Sequence, residues 1–284
     1  MGKHNLKRRF IQLFCAALYN ANLEGFKERT IYKGDGKGVC VPGLHCYSCP
    51  GAVGACPIGS LQNAISSKSP GMLFYVLGSL LLFGVFLGRM VCGYLCPFGL
   101  LQELLHKIPS PKLKKSRVTK ALSKVKYVVL AGLVILLPLV LLIKNGVSVP
   151  SFCKYLCPVG TMEGGLSFAV GGGSFAEQTG VLFGVKLGIL AVIVIGAVFI
   201  YRIFCRFLCP LGALYALFNR YSLFGVVTDQ TVCTACGKCR AVCKEDIHLP
   251  GDHECIACGD CIRHCPVNAI RRKNPFVKRK DDKK

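Results

Sequence analysis

The stretch CTACGKCRAVCKEDIHLPGDHECIACGDCIRHCP, residues 233–266, carries two consecutive Cys-x2-Cys-x2-Cys-x3-Cys runs. The first is Cys233, Cys236, Cys239 and Cys243; the second is Cys255, Cys258, Cys261 and Cys265, with Pro266 behind it. Three thiolates at spacings of three can wrap one face of an Fe4S4 cube, and the fourth, beyond a short turn, reaches the cube of the other run. The ligand sets are therefore expected to cross: Cys233, Cys236, Cys239 and Cys265 in one, Cys255, Cys258, Cys261 and Cys243 in the other. Paired zinc motifs would need two Cys-x2-Cys halves at longer separation.

This part of the chain, roughly residues 228 to 272, resembles the bacterial-type two-cluster ferredoxins. The resemblance implies a small α+β domain holding two 4Fe-4S clusters that move single electrons and make no bonds. Function then depends on what the preceding residues connect it to.

The chain has 284 residues, of which 52% are hydrophobic, with long uncharged runs that suit a membrane protein bearing a small soluble domain at its C-terminal end. It contains 19 cysteines in short-spaced groups, which favours metal ligation over a disulfide framework. No Cys-x2-Cys-His is present, so ordinary c-type haem attachment is excluded, and the absence of histidine from the apolar spans argues against haem b. A formal charge of +22 would fit nucleic acid. Its placement beside apolar segments decides instead for orientation in the bilayer and contact with anionic lipid, with no nucleic-acid partner.

Four spans are expected. Lys3, Lys7, Arg8 and Arg9 precede an uncharged run from Phe10 to Leu23, read as a retained first helix in preference to a cleaved signal peptide or a twin-arginine signal. Residues 24 to 69 form a polar, Gly-rich loop with Cys40, Cys46, Cys49 and Cys56; Gly34, Gly36 and Gly38 lack the Gly-Lys-Ser/Thr of a phosphate loop. Pro70 to Gly88 is the second span, Tyr127 to Ile143 the third and Val181 to Tyr201 the fourth, with Lys186 near the outer end of the last. The lysine-rich connection from Lys107 to Lys126 should be cytoplasmic, and the poorly charged loop 144–180, with Cys153 and Cys157, should face outside. The expected domains are 1–227, a four-helix transmembrane domain that is otherwise all-α; 228–272, the two-cluster domain; and 273–284, a basic tail. Both termini would be cytoplasmic, in a prokaryotic inner membrane.

One pattern recurs wherever a span nears the surface: Cys56-Pro57-Ile58-Gly59, Cys96-Pro97-Phe98-Gly99, Cys157-Pro158-Val159-Gly160 and Cys209-Pro210-Leu211-Gly212. In the last three a second cysteine stands four residues earlier, at Cys92, Cys153 and Cys205, while the first has Ala52 there. Proline fixes φ behind the ligand, glycine permits the tight turn, and a Cys-x3-Cys pair puts two thiolates on one side of a helical turn. Two pairs make a cluster site. Cys92, Cys96, Cys205 and Cys209 share the cytoplasmic face and form a third 4Fe-4S site, unless they are free or acylated thiols. Outside, Cys56, Cys153 and Cys157 with Cys46 or Cys49 form a fourth, for which disulfides compete. About 30 Å of bilayer should separate the two sets.

These residues resemble the NapH and MauN type of ferredoxin-like membrane protein, within the wider polyferredoxin-like family. The resemblance rests on the four-helix plan, Cys92/Cys96, Cys205/Cys209 and the C-terminal runs. It implies electron transfer between the quinone pool or a cytoplasmic donor and a redox protein partner, on the cytoplasmic or the outer side. The outer cysteines depart from the family pattern. No arrangement for other catalysis is present. With a quinone site the chain would be a quinol dehydrogenase component, and Glu103 and His106, at helical spacing, would exchange its protons. The competing class is a membrane-anchored iron–sulfur redox sensor or assembly factor.

Overall fold

The computed structural model describes residues 3–67, 69–113, 115–169, 180–245 and 247–273. Among the described residues three helices are long and apolar enough to cross a membrane: Pro70–Leu87, Arg117–Asn145 and Val181–Phe199. Only 17 to 22% of their apolar windows is buried by protein, which leaves most of each apolar surface uncovered, as suits a helix facing lipid. Pro70 opens the first at a position where its missing N–H costs nothing, and Gly88, at φ 51°, closes it by donating to Phe83 and Gly84 carbonyls. Ser116 caps the second through a reciprocal bond with Thr119. Within it, Leu130–Leu136 widens to a π-helical turn. Pro138 has no N–H to give, and the Leu133 carbonyl five residues back accepts instead from Gln62 Nε2 at 2.9 Å.

The N-terminal helix, α1, covers Lys3–Tyr19, so it starts earlier than the uncharged run and carries Lys7, Arg8 and Arg9 within it. Its 17 residues would span about 26 Å. Phe10, Leu13, Phe14 and Leu18 are exposed along it, while Arg8 is buried.

Each membrane-length helix is followed by a short helix, a Cys-Pro step and a second helical segment. After Pro70–Leu87 come α2 (Met90–Tyr94) and α3 (Pro97–Leu105). Ser151–Tyr155 (α4) and the π-helical Gly160–Leu166 follow the second. The third is followed by α5 (Ile203–Phe207) and α6 (Pro210–Asn219). Pro57–Ser67 follows Cys56 in the same way. These segments fold back: α6 packs on Pro70–Leu87 and on the Val125–Leu136 part of the second span, and Pro57–Ser67 packs on Pro70–Leu87. The Cys-Pro steps consequently sit in the apolar core, among Val76, Leu80, Val134, Phe204 and Tyr215.

Strands β1 (Gly225–Thr228) and β2 (Ile270–Lys273) pair antiparallel, Gly225 opposite Lys273, and bracket the two cysteine runs. Beyond Lys273 the expected basic tail lies outside the described residues. The C-terminal domain is bolted down. Asn219 Nδ2 donates to the Asp252 and Cys255 carbonyls at 2.7 and 2.9 Å, Tyr94 OH to the Ala257 carbonyl, and Arg89 and Lys126, both fully buried, converge on Glu254.

Candidate metal centres

In the C-terminal domain the two runs repeat one backbone shape. Ala235 and Ala257 both have φ 53°, and Gly237 and Gly259 have φ 73° and 80°. Alanine in the left-handed region is costly and persists only where the surroundings impose it. A cavity beneath this shape is lined by Cys243, Cys255, Cys258 and Cys261, with Tyr201 from the membrane domain on one wall. Cys239 lies next to Cys261, and Cys265 Sγ accepts from Ala269 N at 3.3 Å. Burial first, then Cys255 and Cys258, push the Cys261 thiol up to about 12. Sulfurs crowded this way ionise together only against a positive charge, which a metal cluster supplies. The donor set fits iron–sulfur chemistry. Cys236, at the exposed edge, is the opposite case: the Lys238 N–H lowers it.

Cys92, Cys96, Cys205 and Cys209 are all buried and lie close to one another. Their sulfurs are surrounded by donors. Gln102 Nε2 reaches Cys205 Sγ at 3.1 Å, Gly212 N reaches Cys209 Sγ at 3.3 Å, and the Leu44 and Gly99 amides lie against Cys96. Arg202 donates to the Cys92 carbonyl at 2.7 Å and to Glu103. Glu103 also receives Arg8 at 2.6 Å and the Tyr201 hydroxyl at 2.7 Å. Burial alone would raise this carboxyl, but Arg202 and Arg8 hold it down to about 2. Glu103 is a structural anion locked between two cations, which removes the physical basis for its expected proton exchange with a quinone. His106 lies edge-on to Tyr201, its Nδ1 at 3.3 Å from the Ala197 carbonyl.

A second group holds Cys56 and Cys157, buried, with Cys46 and Cys153, half-buried. One point above Gly160 is 3.8 Å from both Cys157 Sγ and Cys46 Sγ, and one above Gly59 is 3.7 Å from Cys153 Sγ and 3.9 Å from Cys56 Cβ. Gly160 N donates to Cys157 Sγ at 3.3 Å. Of the two cysteines open for the fourth place, Cys46 lies close to Cys153 and Cys157. Cys49 turns instead to Asn20 Oδ1 at 3.2 Å. Cys40 stands apart, bridged to Ala55, its N–H on Tyr75 OH. Cys15, which no spacing rule singles out, packs with Tyr19, Val41 and Leu95.

The expected 30 Å between the two membrane groups is not there. The Leu44 amide lies against Cys96 while the next amide, that of His45, lies against Cys56. Two adjacent amides place those sulfurs within about 12 Å of each other. A point above Gly43 is 3.3 Å from Cys96 Cα. The Gly- and Pro-rich loop before Cys56 therefore enters the core. Irregular backbone is tolerated at that depth where protein surrounds it and its amides find partners, here sulfurs and carbonyls.

Comparison with known proteins agrees with this construction. A 4Fe-4S binding domain model matches residues 69–116, 127–171 and 182–226, one match for each span with its folded-back Cys-Pro helix. A second 4Fe-4S binding domain model matches residues 252–271. MauN, a methylamine utilization ferredoxin-type protein of Methylorubrum extorquens, is 28% identical over 193 residues, 66% of this chain and 60% of that protein. NapH, a ferredoxin-type protein of Haemophilus influenzae, is 25% identical over 220 residues, 72% of this chain and 66% of that protein. The chain is similar to the NapH and MauN ferredoxin-type proteins and shares their 4Fe-4S binding character. An uncharacterised protein of Methanocaldococcus jannaschii is 28% identical over 231 residues, 79% of this chain and 88% of the relative. No solved structure matches. In this chain the three matched repeats supply Cys92/Cys96, Cys153/Cys157 and Cys205/Cys209; Cys46 and Cys56 come from the segment before them.

Proposed function

We propose that this protein carries single electrons through a cytoplasmic membrane along four cysteine-held sites. Cys233, Cys236, Cys239 and Cys265 would hold the first cluster, and Cys243, Cys255, Cys258 and Cys261 the second. Cys92, Cys96, Cys205 and Cys209 would hold the third, and Cys46, Cys56, Cys153 and Cys157 the fourth. When bound, each 4Fe-4S group supplies reversible one-electron storage. The chain supplies the order. Cys236 is exposed, Ile256 beside Cys255 packs into the core that contains Cys92, and the Leu44–His45 amides join Cys96 to Cys56. That last juxtaposition carries the proposal, because tunnelling falls steeply with distance and two groups a bilayer apart could not exchange electrons directly.

Charge placement favours a cytoplasmic C-terminal domain. It shares a cleft of about 1060 Å³ with the lysine-rich connection, lined by Lys112, Lys115, Arg117, Lys120, Arg240 and Lys244. A cationic cleft at the ferredoxin edge suits an acidic redox protein as donor or acceptor. With Glu103 locked, the reading is protein-to-protein transfer, and a quinone has no proton carrier at that residue.

The test is iron and acid-labile sulfide per anaerobically purified chain, followed by turnover in vesicles with an artificial donor and acceptor on opposite faces. About 16 sulfides are expected, with many turnovers per protein. A value near 8, or a single stoichiometric oxidation without turnover, would leave a one-sided ferredoxin or a redox sensor.

A further inference from the structure

Beside the Cys46 group stands a set of side chains that the electron path does not use. His45, Cys49 and Glu163 bring one ring nitrogen, one sulfur and one carboxylate oxygen within 4.8 Å of one another. His45 is 1% exposed and Cys49 1%. They come from remote parts of the chain, the loop before Cys56 and the π-helical turn Gly160–Leu166.

His45 Nδ1 is 2.9 Å from Glu163 Oε2, yet neither ring nitrogen of this buried histidine has a hydrogen-bond partner. A close nitrogen–oxygen approach without hydrogen-bond geometry is what two ligand atoms show when they point at a common third position. Cys49 Sγ completes the group, with Lys37 facing it. The second shell is also built: Cys46 N donates to Glu163 Oε2 at 2.7 Å and fixes the carboxylate. Asn20 Oδ1, which now accepts the Cys49 thiol proton, can turn its amide to donate once that proton is gone.

We infer that His45, Cys49 and Glu163 bind one divalent transition-metal ion, zinc or ferrous iron, separate from the iron–sulfur groups. The mixed nitrogen, sulfur and oxygen set suits these ions, and a small contraction brings all three atoms to metal–ligand distances of about 2.0–2.3 Å. Binding releases the Cys49 proton and leaves a fourth position open. The inference rests on the four-site reading in one respect: Cys46, not Cys49, joins Cys56, Cys153 and Cys157.

The two ideas separate in one measurement, because 4Fe-4S groups contain iron and sulfide in equal number while a single ion brings no sulfide. Iron, zinc and acid-labile sulfide are measured on the anaerobically purified full chain. Total metal should exceed sulfide by about one atom per chain, with the element showing which ion is native. Glu163→Gln, which keeps an acceptor for the Cys46 N–H, and His45→Gln should each lose that excess and leave sulfide unchanged. After growth with cobalt, the wild type should show a cobalt–thiolate charge-transfer band that Cys49→Ser lacks. Metal equal to sulfide in the wild type would overturn the inference, as would loss of about four sulfides on Cys49→Ser, since Cys49 would then be a cluster ligand. A wild-type sulfide count near 12 would strike the fourth cluster and leave the metal excess to decide this site.

Discussion

Cys255, Cys258 and Cys261 line their cavity from one loop, and Ala257 and Gly259 supply its turns. Cys92 and Cys96 meet Cys205 and Cys209 only because folded-back helices from two repeats are packed together, with Gln102 bonded to a sulfur 103 residues away. The first pocket is written in local backbone conformation, the second in tertiary packing. The difference predicts how each fails. A local pocket should lose its metal and keep its neighbours, whereas a packed pocket should take the surrounding core with it.

The largest effect should come from Cys209→Ala, whose sulfur is buried between α5 and α6. It should cost about four iron atoms and lower the yield of folded membrane domain, while Cys236→Ala, at the exposed edge, should cost about four iron atoms and leave yield unchanged. Metal analysis beside detergent-phase melting reads both, and equal melting would break the contrast. Next in size is the joint between the regions. Glu254→Gln leaves Arg89 and Lys126 buried without their counter-charge, a loss of about 3–5 kcal/mol. Limited proteolysis should then cut near residue 224 while the membrane helices stay protected; uncut protein would show the joint to be held by other contacts.

Acid should act on the packed region before the local one. Glu103 is held at about 2 against an ordinary 4.5, so its contribution is present above the ordinary value and is lost as pH falls from about 4.5 toward 2. Roughly 3 kcal/mol is involved, and Glu103→Gln should flatten the decline of Tm over that window. The smallest effect tests the local code itself. Ala257→Gly relieves a left-handed alanine and should stabilise the C-terminal domain by up to about 1 kcal/mol. Destabilisation would show that the methyl group packs usefully.

Legibility in the sequence divides along the same line. The runs at Cys233 and Cys255 announce their chemistry because ligand spacing is a local property, and the Cys-Pro-apolar-Gly pattern announces paired thiols for the same reason. The depth of those pairs was not legible. Hydropathy registers Val41 to Cys56 as a polar loop and so places it outside; only the packed core shows Leu44 and His45 amides lying against sulfurs from two different groups. Single residues carry no pattern either. Glu254 reads as an ordinary surface carboxylate, and Glu103 with His106 reads as a helical pair, until Arg89, Lys126, Arg8 and Arg202 are seen around the two carboxylates. Gln62 is equally silent, because its partner exists only where Pro138 interrupts a helix elsewhere.

The knot at Glu103 has a consequence for biosynthesis. Arg8 precedes Glu103 by 95 residues and Arg202 follows it by 99, so the three charges leave the ribosome at widely separated times. At ordinary elongation rates Arg8 waits roughly 5–20 s before its counter-charge, Glu103, is made. Until then α1 has a cation on its inner face with nothing to cancel it, and it must stay near water. Helix α1 therefore takes its final place only after Glu103 has emerged, and a nascent chain halted before residue 103 should leave it accessible to protease.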